Sequence, residues 1–310
     1  MNTYALLSLV ITLTASIAYI NHLVFKLPTT IAVMSGALTI SFLIIILEHL
    51  GVRSLSIYSH KLFHGVNFHD LLMKGMLSFL LFTGSMSVDF NLLKSDSWII
   101  GSLASFGVIA STVLTAFATY YLLPLLGISL PLIYCFLFGA LISPTDPIAV
   151  LATFKKLGTP KRVNTLLAGE SLFNDGVGIV VFITIYLLAF KHEPISLGNV
   201  TWLFIRQAIG GIAYGAIIGY LSNILIKHST PLLAILITLT IVTGCYTFAQ
   251  SLYISGPLAM VVAGIFIGNK ARYGSAEDKI NKTLSLFWDV IDEILNAILF
   301  MLIGFELLNI

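Results

Sequence analysis

The chain has 310 residues, of which 58% are hydrophobic and 10% charged, with a formal net charge of +2. A soluble domain carries about 25% charged residues, so a water-soluble fold is excluded, and a mean hydropathy of +1.00 leaves no stretch for a separate soluble domain or a disordered tail. The basic residues are scattered through loops and form no block, which argues against nucleic acid as a partner. Cys135 and Cys245 lie in apolar stretches, where they read as core side chains and not as a disulfide or metal framework.

A helix that spans a bilayer needs about 20 mostly apolar residues. Ten such runs are predicted, at 4–25, 29–47, 70–88, 97–123, 131–152, 164–190, 201–226, 231–250, 254–269 and 286–308, which makes the fold an all-α polytopic membrane protein. The first follows an N-terminus, Met1 to Tyr4, that lacks the basic residues of a signal peptide, so it reads as a membrane helix. His49, His60, His64 and His69 cluster in the loop after the second span. His60 and His64 have i, i+4 spacing, open to metal binding or pH sensing, while a solvated loop is the plainer account. The seventh span carries Gly211, Gly215 and Gly219, and the short ninth carries Gly264 and Gly268. Such ladders let helices approach closely, either inside the protein, which is favoured here, or across a dimer face. The polar segment 271–283 reads as a cytoplasmic loop or an interfacial helix.

Loop charges set the orientation. Eleven of the sixteen Lys and Arg residues follow odd-numbered spans: Lys26, Lys94, Lys155, Lys156, Lys161, Arg162, Lys227, Lys270, Arg272, Lys279 and Lys282. By the positive-inside rule the odd loops face the cytoplasm and both termini lie outside.

An acidic residue at the centre of a span costs about 2.5–3.5 kcal/mol on the insertion scale, so the acids at depth point to function. Span five reads FGALISPTDPIAVLATF, with Asp146 beside Thr145 and between Pro144 and Pro147. Proline removes a backbone donor and clashes with the preceding turn, so this helix is expected to break, freeing carbonyls at mid-membrane, as transporter sites do. A proline kink with a capping aspartate is the structural alternative. Span six reads LLAGESLFNDGVGIVVF, and the i, i+4 pairs Glu170 with Asn174 and Ser171 with Asp175 fall on one side of that helix. The set offers oxygens without imidazole or thiolate, which suits a hard monovalent cation and not zinc or copper. Burial disfavours the charged form of a carboxylate, so a proton and a sodium ion compete for the same group. Sodium is expected at Asp175, Asp146, Thr145 and Ser171. In span ten, Asp289, Asp292, Glu293 and Asn296 form an acidic face that either draws cations toward a funnel or is a solvated helix start; Glu306 reads as interfacial.

At SPTDPIAV, GESLFNDGVGIVVF and FWDVIDEILNAILFMLIGFEL the sequence resembles the monovalent cation:proton antiporter family, the NhaP/NHE-type sodium/proton exchangers. The resemblance implies one transmembrane exchanger domain over 1–310 with a two-part fold, an ion-carrying core, a dimerising scaffold and elevator-like alternating access. Asp175 matches the essential ion-binding carboxylate and Asn174 its neighbour in an Asn-Asp pair, typical of electroneutral exchange. Thr145 and Asp146 match the contribution of the unwound helix, and Glu170 and Ser171 match groups that order or complete the site. The cargo is then a sodium or lithium ion and a proton, with no cofactor, in a homodimer of the bacterial inner membrane. Family members also have about three further spans, with a second interrupted helix from the inverted repeat and an arginine that pairs with the residue matching Glu170. This chain stops at Ile310 and is expected to lack them. Potassium/proton exchange and a non-transporting remnant are the alternatives. An intramembrane aspartyl protease also needs two aspartates, but its tyrosine-aspartate pair and GxGD motif are absent from this sequence, so no enzymatic activity is expected.

Overall fold

The computed structural model describes residues 3–51, 75–146, 150, 154, 157–190, 197–273 and 278–306. Eleven helices are defined among them: α1 Thr3–Leu23, α2 Thr29–His49, α3 Leu77–Met86, α4 Phe90–Ser95, α5 Ser97–Leu126, α6 Leu132–Ile142, α7 Lys161–Phe190, α8 Leu197–Lys227, α9 Pro231–Ser251, α10 Gly256–Tyr273 and α11 Asp278–Glu306. Each of the ten predicted spans overlaps one of these helices, but the third and fifth overlap only ten and eleven helical residues, in α3 and α6. Among the described residues, five helices are long and apolar enough to cross a membrane (α2, α5, α7, α8 and α9), and apolar stretches of α1, α3, α6 and α10 are shorter. His60, His64 and His69 lie outside the described residues; His49 ends α2, its Nδ1 3.0 Å from the Ile45 carbonyl.

Local chemistry marks the helix ends. Gly51 follows α2 at φ 94° and Gly127 follows α5 at φ 77°, the left-handed position where glycine ends a helix without strain. Thr230 caps α9 by accepting from the Leu233 amide, with Pro231 at the first helical position. Two spans contain a wide π turn, Leu103–Gly107 in α5 and Ile241–Cys245 in α9. The second is braced from α8, where the Tyr214 hydroxyl donates to the Cys245 carbonyl at 3.2 Å.

The chain divides into two compact units. The first, 1–80 with 289–310, has a core of Val10, Val33, Ala37, Met301, Leu302 and Phe305. There α2 lies close against the end of α11: a Cβ on Gly304 would meet Ala37, and the Ser41 hydroxyl donates to the Gly304 carbonyl at 2.9 Å.

The second unit, 81–288, is built around α10, buried without a break from Ser255 to Ile265. A helix apolar on all sides belongs inside a protein, and the glycine ladders make that possible. Gly211, Gly215 and Gly219 of α8 lie on Ser255, Ala259 and Ala263. Gly264 and Gly268 of α10 lie on Phe82, Ser85 and Met86 of α3. Both ladders therefore serve packing within the chain. At the start of α7, Arg162 donates through Nε and Nη2 to both carboxylate oxygens of Asp96, at 2.8 and 2.6 Å. This fork joins the segment before α5 to the start of α7, and the Asp96 side chain is only 6% exposed.

These contacts can be tested in two ways. A Cβ on Gly215 would lie 2.9 Å from Ala259 Cα, so Gly215→Leu is expected to destabilise by about 1–3 kcal/mol in unfolding in detergent. Gly107→Ala, where nothing lies within 4 Å, is the neutral comparison. The Arg162 hydrogen bonds hold the Asp96 carboxyl below its ordinary value. Its contribution to stability is then present above about pH 4 and lost as pH falls through the lowered value. Arg162→Gln is expected to melt below the wild type at pH 7, and the gap to close as pH falls below the ordinary carboxylate range.

Candidate functional site

The predicted break in span five is present. Helix α6 ends at Ile142, Ser143–Asp146 are non-helical, and helical residues return at Val150; Pro147 lies outside the described residues. Pro144 explains the end, since it has no N–H to give the Ala140 carbonyl. Three consecutive residues of the opened segment are each held by another helix. Thr112 Oγ1 of α5 donates to Ser143 Oγ at 3.2 Å, and Ser143 Oγ donates to the Gly139 carbonyl at 2.6 Å. The Pro144 ring lies on α7 at Gly178, where a Cβ would collide with it. Asn174 of α7 then reaches Thr145.

Asn174 organises what the sequence grouped. Its Nδ2 is 3.0 Å from Thr145 Oγ1, 3.4 Å from the Thr145 carbonyl and 2.9 Å from Glu170 Oε1. A main-chain carbonyl and a carboxylate can only accept, so these partners fix which way the amide points. Its Oδ1 is left buried without a hydrogen-bond partner among the described residues, in a side chain only 1% exposed. A buried acceptor in that state costs about 1–3 kcal/mol, and a cation relieves it. The next residue, Asp175, is half-buried, and its charged neighbours are Asp146 and Glu170.

Helix α7 is seated by small residues at this level. Gly176 admits the Leu258 side chain of α10, Gly169 admits Ile100 of α5, and Gly84 of α3 faces Leu172. Ser171 and Asn174 are buried and Glu170 is half-buried, whereas Thr145 and Asp146 are exposed on the surface of the chain. The structure thus joins Thr145, Glu170 and Asn174 by hydrogen bonds and sets Asp146 and Glu170 against Asp175. Among the described residues no group of three or more His, Cys, Asp or Glu side chains is arranged to hold a metal ion.

Sequence reasoning passed over three groups. Ser143 had a signal, as a hydroxyl directly before the proline that breaks the helix. Thr112 and the Asp96–Arg162 pair had none, because their partners are 31 and 66 residues away.

The transmembrane sodium/hydrogen exchanger family model matches residues 5–309. The Na(+)/H(+) antiporter NhaP of Pseudomonas aeruginosa is 42% identical over 299 residues, which are 96% of this chain and 70% of that protein. The Na(+)/H(+) antiporter NhaH of Halobacillus dabanensis is 36% identical over 249 residues, 78% of this chain and 60% of that relative. In fold, the chain is similar to the sodium proton antiporter MjNhaP1 from Methanocaldococcus jannaschii, with a TM-score of 0.73 and 22% identity over 97% of this chain and 69% of that one. This polytopic helical membrane protein belongs to the sodium/hydrogen exchanger family.

Proposed function

We propose that this chain exchanges sodium, and by the same chemistry lithium, for protons across the membrane, the two ions competing for Asp175. The observation that carries the reading is Asn174, whose amide is tied to both the non-helical Thr145 and Glu170 while its own oxygen is left buried without a protein donor, next to Asp175. Such a site offers oxygens and nothing softer, the donor set of a hard monovalent cation. A carboxylate flanked by two others needs a positive partner, and a proton or a metal cation serves equally. Occupancy by one excludes the other, and alternate exposure of such a site to the two sides of a membrane couples their movements.

In this reading Asp175, Asp146, Thr145 and Ser171 supply the sodium oxygens, and Glu170 with Asn174 orders them. The chain acts as one exchanger domain, a reading supported by a family match that runs over 5–309. We also propose a homodimer in a bacterial inner membrane with the odd-numbered loops in the cytoplasm. Support for the orientation comes from the loop charges and from the Arg162–Asp96 pair, which joins the loops after spans three and five.

The test is dye-reported proton movement in everted vesicles of an antiporter-deficient bacterium, with sodium, lithium and potassium added across a pH series. Sodium is expected to dissipate the proton gradient, and Asp175→Asn to reduce that response to the level of empty vesicles. Retained exchange in Asp175→Asn sinks the assignment. A response to potassium alone favours the potassium reading, and no response to any cation in a correctly inserted protein favours a form that does not transport.

A further inference from the structure

The helical hydroxyls of this chain have a common habit. Thr12, Thr39, Thr184, Thr240 and Thr243 each donate to the carbonyl four residues back in their own helix. Such bonds satisfy the hydroxyl locally and tie it to nothing else. Thr112 in α5 instead sends its Oγ1 across to Ser143, the first residue past the end of α6, and Ser143 in turn donates to the Gly139 carbonyl. Both side chains are buried, at 3% and 5% exposure.

The backbones are drawn together at the same level. A Cβ on Gly139 would lie 2.5 Å from the Thr112 carbonyl and 3.2 Å from the Ala116 amide nitrogen. The Gly139 carbonyl therefore sits at a tight crossing, receiving both the Ser143 amide at 3.1 Å and the Ser143 hydroxyl at 2.6 Å. Pro144 comes next, and with it the loss of the helical ladder. Thr112 is thus the point at which an unbroken part of α5 grips the last ordered turn before Thr145 and Asp146.

We propose that Thr112, acting through Ser143, is a positioning residue of the ion site: it fixes where the end of α6 is held against α5, and thereby where the Thr145 and Asp146 oxygens stand opposite Asn174 and Asp175. The proposal rests on the reading of that site as the sodium/proton site. Two of the three anchors of the opened segment, Pro144 on Gly178 and Thr145 on Asn174, come from α7, the helix that also carries Asp175. The Ser143 anchor alone comes from α5, so it holds the segment against a second frame. Without it, Ser143 keeps only its bonds to the Gly139 carbonyl of its own helix and the segment can follow α7, which loosens the distance between the two halves of the site.

The experiment uses the full chain in everted vesicles and measures the sodium concentration for half-maximal exchange and the maximal rate for wild type, Thr112→Val, Thr112→Ser and Ser143→Ala. Valine keeps the shape of threonine and removes the hydroxyl. Thr112→Val is expected to raise half-saturation about five-fold, the equivalent of about 1 kcal/mol at 1.4 kcal/mol per tenfold, with the maximal rate within about two-fold. Ser143→Ala is expected to behave alike, and Thr112→Ser, which restores the donor, to return to the wild-type value. A Thr112→Val protein with wild-type half-saturation overturns the proposal, and so does one whose melting temperature falls while half-saturation stays put. Should Thr112→Val fail to insert, Ser143→Ala decides in the same terms. If wild type shows no sodium response that Asp175→Asn removes, the site reading itself fails and takes the proposal with it; an intact wild-type response with unshifted variants fails the proposal alone.

Discussion

A helix that stops inside a bilayer leaves carbonyls and amides that no lipid can satisfy, so every loose end has to be met by protein. In this chain the stop is at Ile142, and the three residues just past it are met from two helices. Ser143 is met from α5, Pro144 and Thr145 from α7. Helix α7 is itself seated by glycines against α5 and α10, with its Leu172 on Gly84 of α3. Because helices approach this closely only where side chains are small, the glycines of α7 and α10 and the polar groups at the break are parts of one construction.

Electrostatically the same region gathers three carboxyl groups. Asp146 and Glu170 act on Asp175, and the one bidentate arginine pair among the described residues, Arg162 with Asp96, is at the start of α7, two turns before Glu170. Asn174 contributes donors to Glu170 but no charge. Its amide is held from two sides, so its oxygen cannot swing round to find a donor of its own. That combination, a fixed acceptor beside carboxyl groups, differs from an ordinary polar cluster, in which each group turns to satisfy its neighbours.

Much of this was legible because membrane burial leaves a strong mark on composition. The all-helical fold was readable from the apolar runs, each of which overlaps a helix, five of them long enough to cross a membrane, and the break at Pro144 followed from covalent geometry. The grouping of Glu170, Ser171, Asn174 and Asp175 followed from the helical period; of these, Asn174 bonds Glu170 one turn below and reaches Thr145 across the gap. The exposure of Thr145 and Asp146 was not foreseen, since hydropathy reports depth in a span and not which side of it neighbours cover. Helix faces were ambiguous for the same reason: a glycine ladder says that something comes close without saying what, and only the fold assigns one to α8 on α10 and the other to α10 on α3. Long-range pairs such as Asp96 with Arg162 and Thr112 with Ser143 leave no periodic signal, because their spacing is set by the path of the chain and not by a helix.

The burial of α10 has a consequence for how the chain enters the membrane. Its apolar stretch, Gly256–Asn269, is 14 residues long, about 21 Å at 1.5 Å per residue, against about 30 Å of hydrocarbon. Such a segment is a poor candidate for insertion by itself, and with five glycine contacts shared between its two faces it has little side-chain surface to offer lipid. Helices α3 and α8 precede it in the chain and supply both of the surfaces it needs. The faces that α10 packs against are thus already synthesised when its own short apolar stretch emerges.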